Sequence, residues 1–380
     1  MSQDVKRMKG LPNYRINIHA ISPRHPLGVK PSGNALLAIK DIKETKNMSA
    51  KLLGDFGKFT EELLVELLFY ITDPTDLKNL GHSSRLLYAY SYNEEYWRNL
   101  YVREYCRLEK LDKNQDINPF ASSNWRGSWR KTVLNINSEA LLQSRDLIFS
   151  DILYRPYQCS QINYKRLFKQ IIDLEEKSYQ YGRTLNDEFG IKRFQEEDLS
   201  EENFRANYIS QPFILQCNKV DKRWPRWDLD HLLKLFPEER FRQEAVQWDL
   251  SKYIAYARDN RDESPLYLFD CNGAAIKEIG KQYEPSAIFK DDYFKLFKQR
   301  KIQCRPDHRW LIAGPERSGS TFHKDPNQTS AWNTVLSGMK LWIMLPPEVQ
   351  PPGISTDREE DEVTAPIGIS EWILSGFYND

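Results

Sequence analysis

"STFHKDPNQTSAWNTVLSGMKLW", residues 320–342, sets a histidine and an aspartate two positions apart, then an alternating polar and apolar run, a Ser-Gly pair and a lysine. If His323 and Asp325 lie on a strand, both side chains point to one face, because successive strand residues alternate. An imidazole and a carboxylate facing together supply two of the three donors of a histidine–carboxylate iron(II) site with open positions. The same tripeptide also suits a hydrogen-bonded histidine beside a surface aspartate. Residues 330–342 read as a hairpin. With Ser337-Gly338 as its two-residue turn, Val335 pairs with Lys340 and Asn333 with Trp342, and these four side chains share a face. An ammonium on the inner face of an apolar hairpin is costly unless an anion meets it, and a carboxylate co-substrate is such an anion. In a register shifted by one, Lys340 instead reaches solvent.

Working outward, strand-like segments stand at "PFILQC", "SPLYLFD", "HRWLIAG", "STFHKD", "SAWNTVL" and "MKLWIMLP", prefaced by short helices at "SEENFRANY" and "LDHLLKLFP". The last 180 or so residues therefore read as a β-rich domain. The opposite end differs. "FTEELLVELLFYITDPTDLKNLGHSSRLLYAYSYNEEYWRNLY" places Leu63, Leu64, Leu67, Leu68 and Ile71 at helical spacing behind a Thr60 N-cap. Asp73-Pro74 restarts a helix, proline being favoured at the first helical position, and Leu77, Leu80, Leu86, Leu87, Trp97 and Leu100 extend the apolar cluster. This is a three-helix module of about 45 residues, which is marginal without a partner surface. Before it, Pro- and Gly-containing "ISPRHPLGVKPSGN" predicts an extended arm, and after it "LFKQIIDLEEKSYQYGRTLNDEFG" predicts a solvated amphipathic stretch.

Composition narrows the function classes. Lysine plus arginine equals aspartate plus glutamate at 54 each, so no overall field favours nucleic acid or an anionic membrane. Cys106, Cys159, Cys217, Cys271 and Cys304 are scattered and form no CxxC pair, so neither a disulfide framework nor a cysteine zinc site is suggested. No apolar run approaches the roughly 18 residues of a membrane span. The expectation is an intracellular protein of nucleus or cytoplasm, with no membrane partner and no direct nucleic-acid binding.

Two resemblances sharpen this. The order "DPTDLKNLGHSSRLL" then "NEEYWRNL" resembles an F-box, which implies docking onto a Skp-type adaptor of a cullin ubiquitin ligase; Lys58-Phe59-Thr60 departs from the Leu-Pro common there. "LSEENFRANYISQPFIL", "ESPLYLFD" and "HRWLIAGPERSGSTFHKDPNQTSAWNTVLSGMKLWIMLP" resemble the JmjC oxygenases, nearest the phosphatidylserine-receptor-like lysyl hydroxylases, over roughly residues 198–350. That resemblance implies a double-stranded β-helix binding Fe(II) and 2-oxoglutarate and hydroxylating, or demethylating, a protein substrate. By motif position it implies His323 and Asp325 as iron ligands, Lys340 on the distal carboxylate of 2-oxoglutarate, Tyr267 and Asn333 lining the same pocket, and Ser320 at the family's small hydroxyl position. The expected fold is α+β: an arm over 1–55, the F-box over 56–105, a helical linker region over 106–197, and a JmjC-like domain over 198–380, incomplete at its C-terminus. The family's third ligand is a histidine on a later strand, and no histidine follows His323. A truncated sequence, an inactive relative serving as substrate receptor of a ubiquitin ligase, and completion by another chain all remain open.

Overall fold

The structure is a computed structural model, and it describes residues 50–111, 120, 123–138, 163–164, 191–216, 224–299, 305–357, 363–365 and 368–374. Most of the expected arm and the amphipathic stretch at 167–190 lie outside them.

The N-terminal helices form where local chemistry starts and stops them. Thr60 accepts from the Leu63 backbone N–H (3.4 Å) and opens α1 (Glu61–Phe69). Asp73 accepts from Thr75 and Asp76 (2.6 and 3.2 Å) ahead of Pro74 and opens α2 (Pro74–His82), and Ser84 caps α3 (Arg85–Ser91). Each cap satisfies backbone donors that the first turn leaves unpaired. α2 runs through Gly81, where a Cβ would stand 2.2 Å from Ser91 Oγ, so glycine is what lets α2 and α3 touch. Long α4 (Glu94–Leu111) crosses the expected module boundary at residue 105 without a break. Leu64 and Leu68 are buried on α1, whereas Leu63 and Leu67 face outward at 57% and 38% exposure, so the expected leucine stripe divides between two faces.

The helical module shares its core with the C-terminal part of the chain. Tyr96, Trp97, Leu100, Tyr101 and Tyr105 of α4 are buried with Trp129 of α5 (Trp129–Leu134). β1 (Lys192–Gln195) pairs in parallel with β2 (Phe213–Gln216), after a helical turn at Glu201–Asn203. Then come α6 (Leu229–Leu235), the antiparallel hairpin β3 (Arg240–Gln243) and β4 (Val246–Asp249), α7 (Leu250–Arg258), β5 (Leu268–Asp270), α8 (Ala274–Ile279) and β6 (Leu311–Ala313). A four-stranded antiparallel sheet runs β4-β3-β5-β6. Tyr101 meets Trp129 at 5.2 Å and, edge-on, Trp248 of β4 at 5.8 Å between centroids, so helix and sheet bury one continuous aromatic core. A smaller cluster joins Phe322, Leu341 and Ile343 to Ile354, Trp372 and Ile373, next to the pair β7 (Ser355–Thr356) and β8 (Val363–Thr364) and helix α9 (Ile369–Leu374). Among the described residues no helix is long and apolar enough to cross a membrane.

The chain is thus a mixed helix and sheet protein. The expected strands at "STFHKD", "SAWNTVL" and "MKLWIMLP" are a correction: these segments carry no strand ladder. A strand needs a partner for its backbone groups, and among the described residues the sheet ends at β6. Their side-chain alternation survives. Thr334, Leu336, Leu341 and Ile343 turn partly inward, while Asn333, Val335, Lys340 and Trp342 all turn outward.

The joint between α4 and α5 carries a titratable group. Glu94 Oε2 accepts from the Trp129 backbone N–H (2.5 Å), and burial raises its carboxyl from 4.5 to about 7 against the opposing pull of that bond. The folded state therefore binds the proton more tightly than the unfolded chain. Its stabilising contribution is complete below pH 4.5 and is lost as pH rises through about 7. Glu94→Gln should flatten the pH dependence of the denaturation midpoint across that interval; a slope equal to wild type would contradict the assignment.

Candidate functional site

β5 and β6 run antiparallel with Leu268 opposite Ala313, which brings Tyr267 beside Gly314. A Cβ at Gly314 would stand 3.0 Å from Tyr267 Cβ and 2.1 Å from Ser318 Oγ, so only glycine admits the loop that starts here. That loop closes on itself. Ser318 donates to the Pro315 carbonyl through its backbone N–H (3.2 Å) and its hydroxyl (2.7 Å), Arg317 sits at φ 74° and Gly319 at φ 148°. The turn returns Ser320 to Tyr267, hydroxyl to hydroxyl at 3.2 Å. Phe322 then enters the smaller core, edge-on to Trp372 at 4.9 Å, and this fixes the phase of the chain so that His323 points the other way, exposed.

His323 Nδ1 lies 2.8 Å from the Thr321 carbonyl. A carbonyl can only accept, so the neutral ring carries its proton on Nδ1 and leaves the Nε2 lone pair free for a cation. Nε2 is 3.5 Å from Asp325 Oδ1. Two adjacent donors at about 2.1 Å from one first-row cation stand about 3 Å apart, so the pair needs only a small closure to share one. Asp325 precedes the 3-10 turn Pro326–Gln328, whose Pro326 lacks an N–H, and its carboxylate caps no backbone donor. The His-x-Asp convergence expected of a strand is therefore achieved by a loop and a turn. Among the described residues no group of three His, Cys, Asp or Glu side chains could hold a metal ion. The donors present fit two positions of an iron(II) set and do not complete it.

Asn333 and Lys340 lie on the outward side of the segment after the turn, with Gly338 at φ 79° between them. They share a face, but it is the exposed one and not the inner face that the hairpin reading expects, because the apolar Leu336, Leu341 and Ile343 take the inward side, and no ladder joins them. Lys340 Nζ lies 4.1 Å from the Trp342 ring centroid, and burial lowers its pKa from the ordinary lysine value. Beside Asn333, Trp332 packs with Trp224, Tyr283 and Phe289 at 5.6, 5.9 and 6.4 Å. The structure thus brings together Tyr267 with Ser320 and His323 with Asp325, and sets Lys340 against Trp342. Sequence reasoning missed Arg317, Asn260 and Asp262, whose mutual bonds hold the loop from behind; the available signal was an arginine inside the Gly-bounded "GPERSG".

No protein-family model matches the chain. It is 30% identical over 381 residues to the arginine-specific demethylase JMJ22 of Arabidopsis thaliana, covering 97% of this chain and 66% of that protein. It is 32% identical over 169 residues to the bifunctional arginine demethylase and lysyl-hydroxylase psr-1 of Caenorhabditis elegans, covering 41% of this chain and 42% of that one. Over 82 residues it is 32% identical to the 2-oxoglutarate and iron-dependent oxygenase JMJD4 homolog of Drosophila melanogaster, covering 22% and 19%. The chain spans less than two thirds of the length of these relatives, which are JmjC-domain demethylases and hydroxylases.

Gly314→Ala should destabilise the protein by about 1–3 kcal/mol, the range for forcing a methyl into a packed site. A urea midpoint equal to wild type would show that the loop does not need the close approach.

Proposed function

The JmjC oxygenase family fits this chain, and from that premise we propose an Fe(II)- and 2-oxoglutarate-dependent oxygenase that hydroxylates or demethylates basic side chains of a protein substrate. The observation that carries the proposal is the His323–Asp325 pair, with Nε2 bared by the Thr321 bond and a carboxylate oxygen 3.5 Å away. These two residues would hold the metal, and a third protein donor would complete the set. Bound Fe(II) and 2-oxoglutarate supply the oxidising chemistry, in which dioxygen is consumed and the co-substrate leaves as succinate and carbon dioxide.

The chain's own residues bind and orient. Lys340, set against the Trp342 ring at 4.1 Å, would meet a carboxylate of 2-oxoglutarate as its counter-charge. Hydroxyls of Tyr267 and Ser320, already 3.2 Å apart, and the amide of Asn333 would donate to the same ligand. Such a protein would work in the nucleus or cytoplasm. With iron and 2-oxoglutarate supplied, purified protein that includes the third donor should release succinate, and His323→Ala or Asp325→Ala should lower the rate by about 10²-fold or more. Correctly folded protein that binds neither iron nor 2-oxoglutarate would refute the reading.

A second reading concerns the helical module, proposed as an F-box that docks a Skp-type adaptor of a ubiquitin ligase. Phe59, Leu63, Leu67 and Tyr70 favour it, since all four stand uncovered around α1 at 48%, 57%, 38% and 73% exposure. The docking face is consequently Leu63 and Leu67; Leu64 and Leu77 belong to the core. In this reading the JmjC-like region could act as a receptor surface with no metal. Leu63→Asp combined with Leu67→Asp should abolish co-purification of the adaptor while shifting stability by no more than about 0.5 kcal/mol per site. Undiminished co-purification would count against it.

A further inference from the structure

Arg317 has no part in the chemistry proposed above, yet its backbone is held at φ 74°, a left-handed conformation that non-glycine residues rarely adopt. Its own side chain provides the restraint. Nε donates to the Asp262 carbonyl and Nη2 to Asn260 Oδ1, each at 3.0 Å, in a part-buried setting. Both acceptors are themselves fixed. The Asp262 carboxylate accepts from Trp129 Nε1 (2.9 Å to each oxygen) and the Tyr256 hydroxyl (2.5 Å), and Arg98 Nη1 stands 3.5 Å away while donating to the Ser264 carbonyl at 2.9 Å. Asn260 Nδ2 donates to the Tyr256 carbonyl (3.1 Å), and Asn260 Oδ1 also accepts from the Asp262 backbone N–H (3.3 Å).

The guanidinium therefore plugs the loop into the aromatic core shared by α4, α5 and α7. Three residues later comes Ser320, bonded to Tyr267, and six residues later His323. Gly314 and Gly319 flank the turn and contribute no stiffness of their own. We infer that Arg317 is a positioning residue: its two-pronged bond to Asn260 and Asp262 sets where Ser320, His323 and Asp325 stand. What those residues hold rests on the oxygenase reading, but the positioning is a property of the loop alone. A lysine is a poor replacement, because its ammonium does not reproduce the fixed, planar spacing of Nε and Nη2 on the two acceptors.

The test compares full-length wild type, Arg317→Lys and Arg317→Ala, all metal-free, by hydrogen–deuterium exchange resolved to peptides. Exchange across residues 314–325 should rise about tenfold or more in both variants, with α4 and α7 unchanged. Titration with Co(II) alone, read through its visible ligand-field absorption, should show weakened binding and an altered spectrum in both variants. Unchanged exchange across 314–325, or an equal rise across α4 and α7, would overturn the inference. Wild type that takes up no Co(II) would sink the oxygenase reading, while the exchange comparison would still decide the role of Arg317.

Discussion

The Asp262 carboxylate, 3% exposed, is the point on which the N-terminal helices meet α7. A buried carboxylate is tolerable only when donors surround it. Here they come from Trp129 on α5, Tyr256 on α7 and Arg98 on α4, so elements far apart in sequence are pinned to one side chain. Removing a donor would leave a carboxylate lone pair unsatisfied in an aromatic interior, and that asymmetry makes the arrangement specific. Lys252 is the mirror case. Its ammonium donates to the Tyr101 hydroxyl at 2.6 Å and to the Phe120 carbonyl, and lies 4.7 Å from the Trp248 ring centroid. Burial nevertheless lowers it to about 7. Two buried polar centres thus fix how the rings between them stack.

This core explains why the site can sit on loops. The Tyr253 hydroxyl lies within hydrogen-bond reach of the Leu266 and Ala313 carbonyls (3.1 and 2.9 Å), which ties α7 to the ends of β5 and β6, where the loop departs. From the other side Phe322 is gripped by Trp372. Between those anchors the chain has little freedom, and His323 is presented with its ring already oriented. Rigid supports under a short loop are how many sites hold functional side chains without regular structure.

The N-terminal helices were legible because their signals are local. Thr60, Asp73-Pro74 and the leucine spacing act within a turn or two, and the structure uses each of them. The division of that stripe was not legible, since Leu63 and Leu67 differ from Leu64 and Leu68 only in what lies opposite. Equally hidden was the sharing of one core, because the contacts of Tyr101 with Trp248 and of Tyr105 with Gln247 span more than 140 residues. The β3–β4 hairpin escaped notice for a chemical reason: its turn uses Glu244 at φ 48° followed by Ala245, with no glycine or asparagine to announce it. Near the site, the shared face of Asn333 and Lys340 could be read from the spacing, but not that this face would be the exposed one. The ladder expected around them could not be, because alternation marks which side chains turn inward but not which strand will pair.

Native-state hydrogen exchange under rising denaturant tests most directly whether the helices and the sheet are one cooperative body. Amides of α1–α4, from Leu64 to Tyr105, should share a single opening free energy and denaturant dependence with amides of β3 to β5. Opening of the helical module at a lower free energy, with the sheet still protected, would contradict the account.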